Sequence, residues 1–263
     1  TTAQLVALAT DDLAAMSSAQ TAALSTALMA VLTTSQVAAL TTEQFAGLNT
    51  RQIQSLNTEQ VRALVTDQVA ALTTAQSVAL NSTQVQALTT EQVQAFETAD
   101  LRALNTRSLQ AMTTACIEAL STEQAAALST RQVAALTSAQ VEAVATDDLA
   151  VLSTAQVRAL GTTLLDALTT AQVAALQTEQ MAGLSTAQVR ALDTAQVQAL
   201  STSNIEALES TQVRALSSTQ AGALTTEQVQ AIETADLRAM TSTAVAALGT
   251  SAATAVLVIA RRS

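Results

Sequence analysis

Aspartates are the first residues in this chain that could do chemistry. Adjacent carboxylates occur at Asp11–Asp12 and Asp147–Asp148, and Asp100 and Asp236 occupy the same repeat position as Asp12 and Asp148. Carboxylates bind calcium, so one interpretation is a calcium site. The spacing matches neither an EF-hand loop nor a glycine-rich calcium repeat. Alternatively, each aspartate fills an ordinary position in the first turn of a helix, where a negative charge is favourable.

The single cysteine, Cys116, is the other candidate nucleophile. Cysteine and serine nucleophiles need a nearby base, but the chain has no His, and its 11 basic residues are all Arg. Pairs of Asp and Glu could act as acid and base, yet every acid lies on a variable position that we expect to be solvated. The sequence therefore predicts that the protein is not an enzyme, with no catalytic, cofactor-binding or metal-binding residues and no cofactor.

All these residues belong to an eight-residue repeat, the octad, that keeps one register from Thr1 to Val256. Position 8 is nearly always Leu, position 2 is Thr or Ser from Thr10 to Thr250, and positions 4, 5 and 7 are usually Gln, Val and Ala. In a continuous α-helix each Leu would lie about 80° around from the last, which leaves no apolar stripe. The helix must therefore break once per octad.

Helix-capping residues are placed to make this break. Position 1 is usually Ser, Thr, Asn or Asp, the residues preferred as N-caps. Gln at position 4 then completes a capping box, as in Thr41/Gln44, and the flanking Leu and Val form a hydrophobic staple. If Thr at position 2 is the cap instead, the box and the staple are lost. With position 1 as the cap, we expect the position-2 hydroxyl to bond the backbone at the corner.

Helices this short are unstable alone and must stack on one another. We therefore predict an all-α solenoid of very short helices, one per eight-residue repeat, that forms an elongated rod. A β-solenoid is the alternative, because Thr and Val favour strands. The Ala, Gln and Leu content and the spacing of box and staple favour helices.

A longer repeat is also visible, because residues 89–106 recur almost unchanged at 225–242, 136 residues later. We predict a single continuous solenoid over 1–256, made of two similar 17-octad blocks, 1–136 and 137–263. Residues 257–263 would be a C-terminal tail or partial cap. If one coil held two or three octads, the second 17-octad block would begin at a different corner of the coil from the first, because 17 is a multiple of neither two nor three. All corners should then be equivalent, and no single edge should carry a precise site.

Composition limits the partners of this chain. The net charge is −10 and the only aromatic residues are Phe45 and Phe96. The chain thus lacks the basic patch and stacking aromatics of nucleic-acid-binding proteins. No apolar run is long enough for a membrane span. We therefore expect no nucleic acid partner and no membrane span. The small residue at position 7 predicts a thin interior.

The phrases ALTTEQVQAF at 87–96 and ALTTAQVAAL at 167–176 resemble octad-repeat tracts of very large bacterial secreted or surface proteins. These are often described as RTX-like, adhesin-like or haem-utilisation proteins. The resemblance covers residues 1–256 and implies a secreted spacer or stalk. It implies neither calcium nor haem binding, because the glycine repeats and a His ligand for haem iron are absent.

The sequence thus predicts an acidic structural repeat protein, a rod-like stalk, spacer or filament subunit of the bacterial surface. Its expected location is extracellular or at the cell surface, with self-association end to end. One alternative is a binding module that presents octad positions 3 and 6 to a protein or glycan. Another is binding of ice or a similar lattice through the regular Thr rows.

Overall fold

Each octad forms one short α-helix in the computed structural model, which describes residues 1–249. The helices have four to six residues, and nearly all of them begin at octad position 2. Residues 1–249 contain no β-strand. The prediction of an all-α repeat solenoid is therefore confirmed, and the β-solenoid alternative is wrong. The predicted tail at 257–263 lies outside the described residues.

The chain divides into two units, Thr1–Leu136 and Thr137–Ser263. The helices of the first unit are α1 (Thr2–Val6), α2 (Thr10–Ala14), α3 (Ser18–Ala22), α4 (Thr26–Met29), α5 (Thr34–Ala39), α6 (Thr42–Ala46), α7 (Thr50–Ser55), α8 (Thr58–Arg62), α9 (Thr66–Ala70), α10 (Thr74–Ala79), α11 (Ser82–Ala87), α12 (Thr90–Gln94), α13 (Thr98–Ala103), α14 (Thr106–Gln110), α15 (Thr114–Glu118), α16 (Thr122–Ala127) and α17 (Thr130–Ala135). Those in the described part of the second unit are α18 (Ser138–Ala143), α19 (Thr146–Ala150), α20 (Thr154–Ala159), α21 (Gly161–Asp166), α22 (Thr170–Ala175), α23 (Thr178–Ala182), α24 (Thr186–Ala191), α25 (Thr194–Ala199), α26 (Thr202–Glu206), α27 (Ser210–Ala215), α28 (Ser218–Ala223), α29 (Thr226–Ala231), α30 (Thr234–Ala239) and α31 (Ser242–Ala247).

Octad position 1 is the N-cap of most helices. In α6 the Thr41 hydroxyl accepts from the Gln44 N–H at 3.2 Å, and the Gln44 Oε1 accepts from the Thr41 N–H at 2.9 Å. The backbone of Thr41 is extended, which breaks the helix at that residue. The capping-box prediction is confirmed, and the alternative cap at position 2 is wrong.

The hydroxyl at position 2 does not bond the backbone at its own corner anywhere in residues 1–249, so that expectation is wrong. The position-2 hydroxyls that form hydrogen bonds reach elsewhere, as Ser82 does to the Arg107 carbonyl oxygen at 3.4 Å. The position-2 side chain instead faces a position-7 residue that lies 29 residues later in the chain. A Cβ built on Gly183 would lie only 1.9 Å from the Thr154 Cγ2. At Gly183 the small residue at position 7 allows close contact between coils, while the thin interior expected from position 7 stays a prediction.

Positions 5 and 8 form the apolar core of each unit. Val61 and Leu101 at position 5 are fully buried, and Leu64 and Leu104 at position 8 are buried as well. Position 5 lies within the short helix and position 8 lies just after it, and both side chains are buried in the interior. Each octad thus contributes two side chains to a shared core, which supplies the apolar burial that an isolated five-residue helix lacks.

Within each unit, most helices pack against the helix three octads further along the chain. In the first unit α7 packs against α10 and α10 against α13; in the second, α21 packs against α24 and α24 against α27. Within each unit, side-chain hydrogen bonds also link most octads to the octad four earlier, as described next. One coil therefore holds between three and four octads, rather than the two or three considered from the sequence.

The position-4 Gln side chain joins successive coils. The Gln92 Oε1 accepts from the Thr89 N–H at 2.9 Å within its own capping box. Its Nε2 donates to the carbonyl oxygens of Val61 at 2.8 Å and Leu64 at 2.7 Å, at the end of α8. One buried side chain thus satisfies a free N–H at one helix start and free carbonyl groups at another helix end. Within each unit this bond pattern, here called the amide ladder, repeats from octad to octad.

Candidate functional site

Three side chains that replace Gln at position 4, those of Ser108, Cys116 and Asn204, keep the donor of the amide ladder. The Ser108 Oγ donates to the Leu80 carbonyl oxygen at 2.8 Å, and the Asn204 Nδ2 donates to the Leu176 carbonyl oxygen at 2.8 Å. Cys116 is buried, with its Sγ 3.5 Å from the Leu88 carbonyl oxygen. Each acceptor lies 28 residues earlier, at position 8. The interpretation of Cys116 as a replacement for Gln therefore fits its geometry.

Three aspartates occupy the same buried position, which corrects the expectation that every acid is solvated. Asp100, Asp148 and Asp236 are only 5%, 3% and 6% exposed. An ionised carboxylate has no proton to donate, so it cannot take over the bonds that Gln92 or Asn204 makes. The Asp236 Oδ1 instead accepts a hydrogen bond from the Ser210 hydroxyl.

Burial changes the acid–base behaviour of two of these groups. Desolvation, and then the neighbouring charge of Glu97, raises the pKa of Asp100 above its usual value. Desolvation followed by the charge of Asp147 raises the pKa of Asp148 in the same way. Both shifts favour the protonated acid, which is the only form able to donate a hydrogen bond from this position.

The predicted aspartate pairs do not assemble into a metal site. Asp11, Asp12 and Asp147 are exposed, whereas Asp148 is buried, so the two pairs lie in different surroundings. Across residues 1–249, no group of three or more acidic or cysteine side chains is arranged to hold a metal ion. The chain offers no His that could complete such a group.

Ser77 is the one described residue with a buried side-chain oxygen that lacks a hydrogen-bond partner. It lies at core position 5, where most octads have Val, and is fully buried. Its hydroxyl is closed off from solvent, and the chain has neither the His nor the Lys that usually activates a serine. Ser77 is therefore an imperfection in the core rather than a candidate nucleophile.

A groove lined mainly by Asn, Ser, Thr and Arg residues runs across successive coils of the first unit. Its larger part has a volume of about 650 Å³ and includes the caps Asn57, Asn81 and Asn105 in its lining. These residues are 24 residues apart, and their helices α8, α11 and α14 pack in series. A second part of about 430 Å³ shares Asn105 and reaches α17. The two parts together are here called the Asn groove.

Arginines line the α14 end of the Asn groove. Arg107 lines its larger part, and Arg102 and Arg131 line the smaller part. All three are exposed, and within residues 1–249 none of them forms an ion pair with an acid. The position equivalent to Arg107 and Arg131 is Thr83 on α11 and Glu59 on α8. Positive charge is therefore concentrated at one end of the groove in a chain whose net charge is −10.

Sequence reasoning missed the Asn groove, although its signal was present. Asn57, Asn81 and Asn105 are recognisable as helix caps, but their common spacing has no meaning until the coil length is known. The groove also departs from the expectation that all corners are equivalent. The Thr rows, by contrast, lie on position 2, half-exposed or exposed, and ice or lattice binding stays a prediction.

The short helices, the capping boxes and the amide ladder define an all-α tandem-repeat solenoid. The model of the ALTTAQ repeat family matches residues 5–42, 22–50, 37–74, 93–130, 141–178, 173–210, 202–232 and 229–257. The chain therefore belongs to the ALTTAQ repeat family. A comparison with curated proteins finds no significant match. No helix in residues 1–249 is long and apolar enough to cross a membrane.

Proposed function

We propose that this chain is a structural repeat protein, which acts as a stalk, spacer or filament subunit and catalyses no reaction. The observation that carries the proposal is the amide ladder. Position 4, the most buried polar position of the octad, joins one coil to another and is not available for a ligand. The octad thus uses its polar side chains mainly to build more of the same structure.

Filament formation is supported by the complementarity of the two sides of a coil. One side presents Gln amide donors, and the other presents helix-end carbonyl oxygens, as Gln60 and the Met29 and Leu32 carbonyl oxygens illustrate. Wherever an array of such octads ends, one of these sets is without its partner. Contact between unlike surfaces of identical copies gives open fibres when the rotation from one copy to the next does not close into a ring.

Electron microscopy of the purified chain over a concentration series tests this proposal. Fibres whose length grows with concentration are the expected result. A Gln4→Glu, Gln20→Glu double variant should shorten them, because the exposed Gln4 and Gln20 would lose donors that another copy could bond. The matched control is Gln86→Glu with Gln94→Glu, which adds the same charge at exposed positions outside the ladder.

Particles of one length at every concentration would contradict the filament proposal and leave only the stalk or spacer role. Equal shortening by both double variants would indicate that added negative charge, rather than the amide donors, limits association. An extracellular or cell-surface location is proposed only because the octads resemble those of RTX-like and adhesin-like bacterial proteins. Immunogold labelling of the source cells with an antibody to the chain would test that location.

A binding module is the second candidate function, in which octad positions 3 and 6 face a protein or glycan. The Asn groove supports it, because Arg107 and Arg131 lie at position 3 and Arg102 lies at position 6. These side chains have no structural partner within the described part of the chain. They are therefore free to meet a ligand.

A further inference from the structure

We infer that the Asn groove binds a linear polysaccharide that carries carboxylate groups. The inference rests on the second candidate function, the binding module, and is independent of the structural role. Its basis is the combination of three unpaired arginines with three asparagines in a groove that crosses successive coils. The asparagines cap their helices, and the arginines have no structural role in the described residues.

The arginines define the charge of the ligand. Arg102, Arg107 and Arg131 gather at one end of the groove, while the chain as a whole has 21 acidic residues against 11 basic ones. The guanidinium group pairs with a carboxylate through two parallel hydrogen bonds. Arg107 and Arg131 extend from helices that pack side by side, so their backbones are about 8–10 Å apart. A linear ligand with carboxylates along its length can reach both.

The asparagines define the polar character of the rest of the ligand. The Oδ1 of Asn57 accepts from the Gln60 N–H at 2.9 Å, and the Oδ1 of Asn81 accepts from the Gln84 N–H at 3.0 Å. Asn105 caps α14 in the same way, with the Ser108 N–H at 2.9 Å. Capping fixes each amide and leaves its Nδ2 donors free. A row of such donors along the groove suits the hydroxyl and ring oxygens of a sugar chain.

The lining favours a polysaccharide over an acidic peptide. Arginine clusters alone can bind acidic motifs, but grooves that bind peptides as strands or helices also use pockets for apolar or aromatic side chains. Here the apolar lining residues, Leu56 and Leu104, are each only 3% exposed and belong to the core. A ligand that is polar along its whole length, with carboxylates at intervals, matches this surface.

The test is titration of the complete chain with a decamer of galacturonic acid, followed by calorimetry and by NMR of the asparagine side-chain amides. Saturable binding is expected, with shifts confined to Asn57, Asn81 and Asn105. The Arg107→Gln, Arg131→Gln double variant should weaken binding at least about fivefold. The matched control is Arg190→Gln with Arg214→Gln, an exposed pair with the same 24-residue spacing on α24 and α27, which should bind like the unmodified chain.

Four outcomes would overturn the inference. Absence of binding, or equal weakening in both double variants, would show that the Asn groove is not the site. Equal affinity for a neutral maltodextrin of the same length would remove the role of the arginines. Equal affinity for a poly-glutamate peptide would overturn the polysaccharide assignment while leaving the binding-module function standing. All the substituted side chains are exposed, so circular dichroism should show an unchanged fold.

Discussion

The side-chain nitrogen of Gln92 lies 2.7 Å from the carbonyl oxygen of Leu64, one coil earlier in the chain. The oxygen of the same amide group accepts a hydrogen bond from the Thr89 N–H. A single side chain therefore connects two helix ends. These backbone groups are among those that every helix leaves without an internal partner. Since the helices in residues 1–249 have at most six residues, such groups are a large share of the backbone there. Satisfying them is therefore a main requirement of this fold.

Replacing Gln92 with Ala should destabilise the first unit by about 2–4 kcal/mol, because buried backbone groups lose their partners. Hydrogen exchange should accelerate most at the N–H of Thr89. Gln94→Ala is the control, because Gln94 is exposed two residues away in the same helix. Similar losses in both variants would show that helix propensity, rather than the amide ladder, sets stability. Local exchange is the better measurement, since repeat proteins need not unfold in one step.

Asp100→Asn should stabilise the first unit at neutral pH by about 1–3 kcal/mol, because the amide restores a buried donor. Burial raises the pKa of Asp100, so the ionised acid is disfavoured in the folded state at neutral pH. As the pH falls through that raised pKa towards 3.8, the wild-type acid becomes protonated and regains stability. The gain from Asn should therefore shrink with acidification.

Thermal unfolding at several pH values measures this effect, with Asp12→Asn as the control. Asp12 has the same octad position but is exposed. A gain for Asp100→Asn that stays constant from neutral to acidic pH would contradict the account of a destabilising buried carboxylate.

Val65→Thr should stabilise the start of α9 by about 1 kcal/mol, since it supplies a missing N-cap oxygen. Val65 occupies a cap with extended backbone but forms no side-chain cap bond, and it is 45% exposed. The new hydroxyl can accept from the Gln68 N–H, as the Thr89 hydroxyl does from Gln92 at 3.2 Å. Slower exchange of the Gln68 N–H is the measurement. Val78→Thr, at a 53% exposed position within α10, should give no such gain.

Ser77→Ala should stabilise the core around α10 by about 1–3 kcal/mol, the cost of burying a hydroxyl without a partner. Ser55→Ala is the matched control, because the Ser55 Oγ donates to the Gln52 carbonyl oxygen at 2.7 Å. Both changes place Ala in a helix, so the difference between them isolates the unsatisfied hydroxyl. If chemical denaturation gives Ser55→Ala the larger gain, the assignment of Ser77 as unsatisfied is wrong.

The sequence was sufficient for features that depend on neighbours within one octad. The cap at Thr41 and its box with Gln44 join residues three apart, so residue type and spacing alone predict them. The break of the helix at each cap follows from the same residues. From these local facts the all-α solenoid could be predicted, because helices this short must stack to be stable.

Features that depend on the coil could not be predicted, because every octad looks like a possible neighbour of every other. The second role of Gln44 involves the carbonyl oxygens of Leu13 and Met16, 31 and 28 residues earlier. Its burial, and that of Asp100 in the same position, follows only from that distant contact. The Asn groove was missed for the same reason, since Asn57 and Asn81 become neighbours only through the coil.

The amide ladder has a consequence for how such a protein can change over generations. Each octad carries the same donor for the coil before it and the same acceptors for the coil after it. When a gene gains or loses eight codons, the octads that become neighbours already carry matching hydrogen-bond donors and acceptors. No second mutation is needed to restore the contact. The number of octads can then change more easily than the residue type at position 4, where a replacement alters bonds in two octads at once.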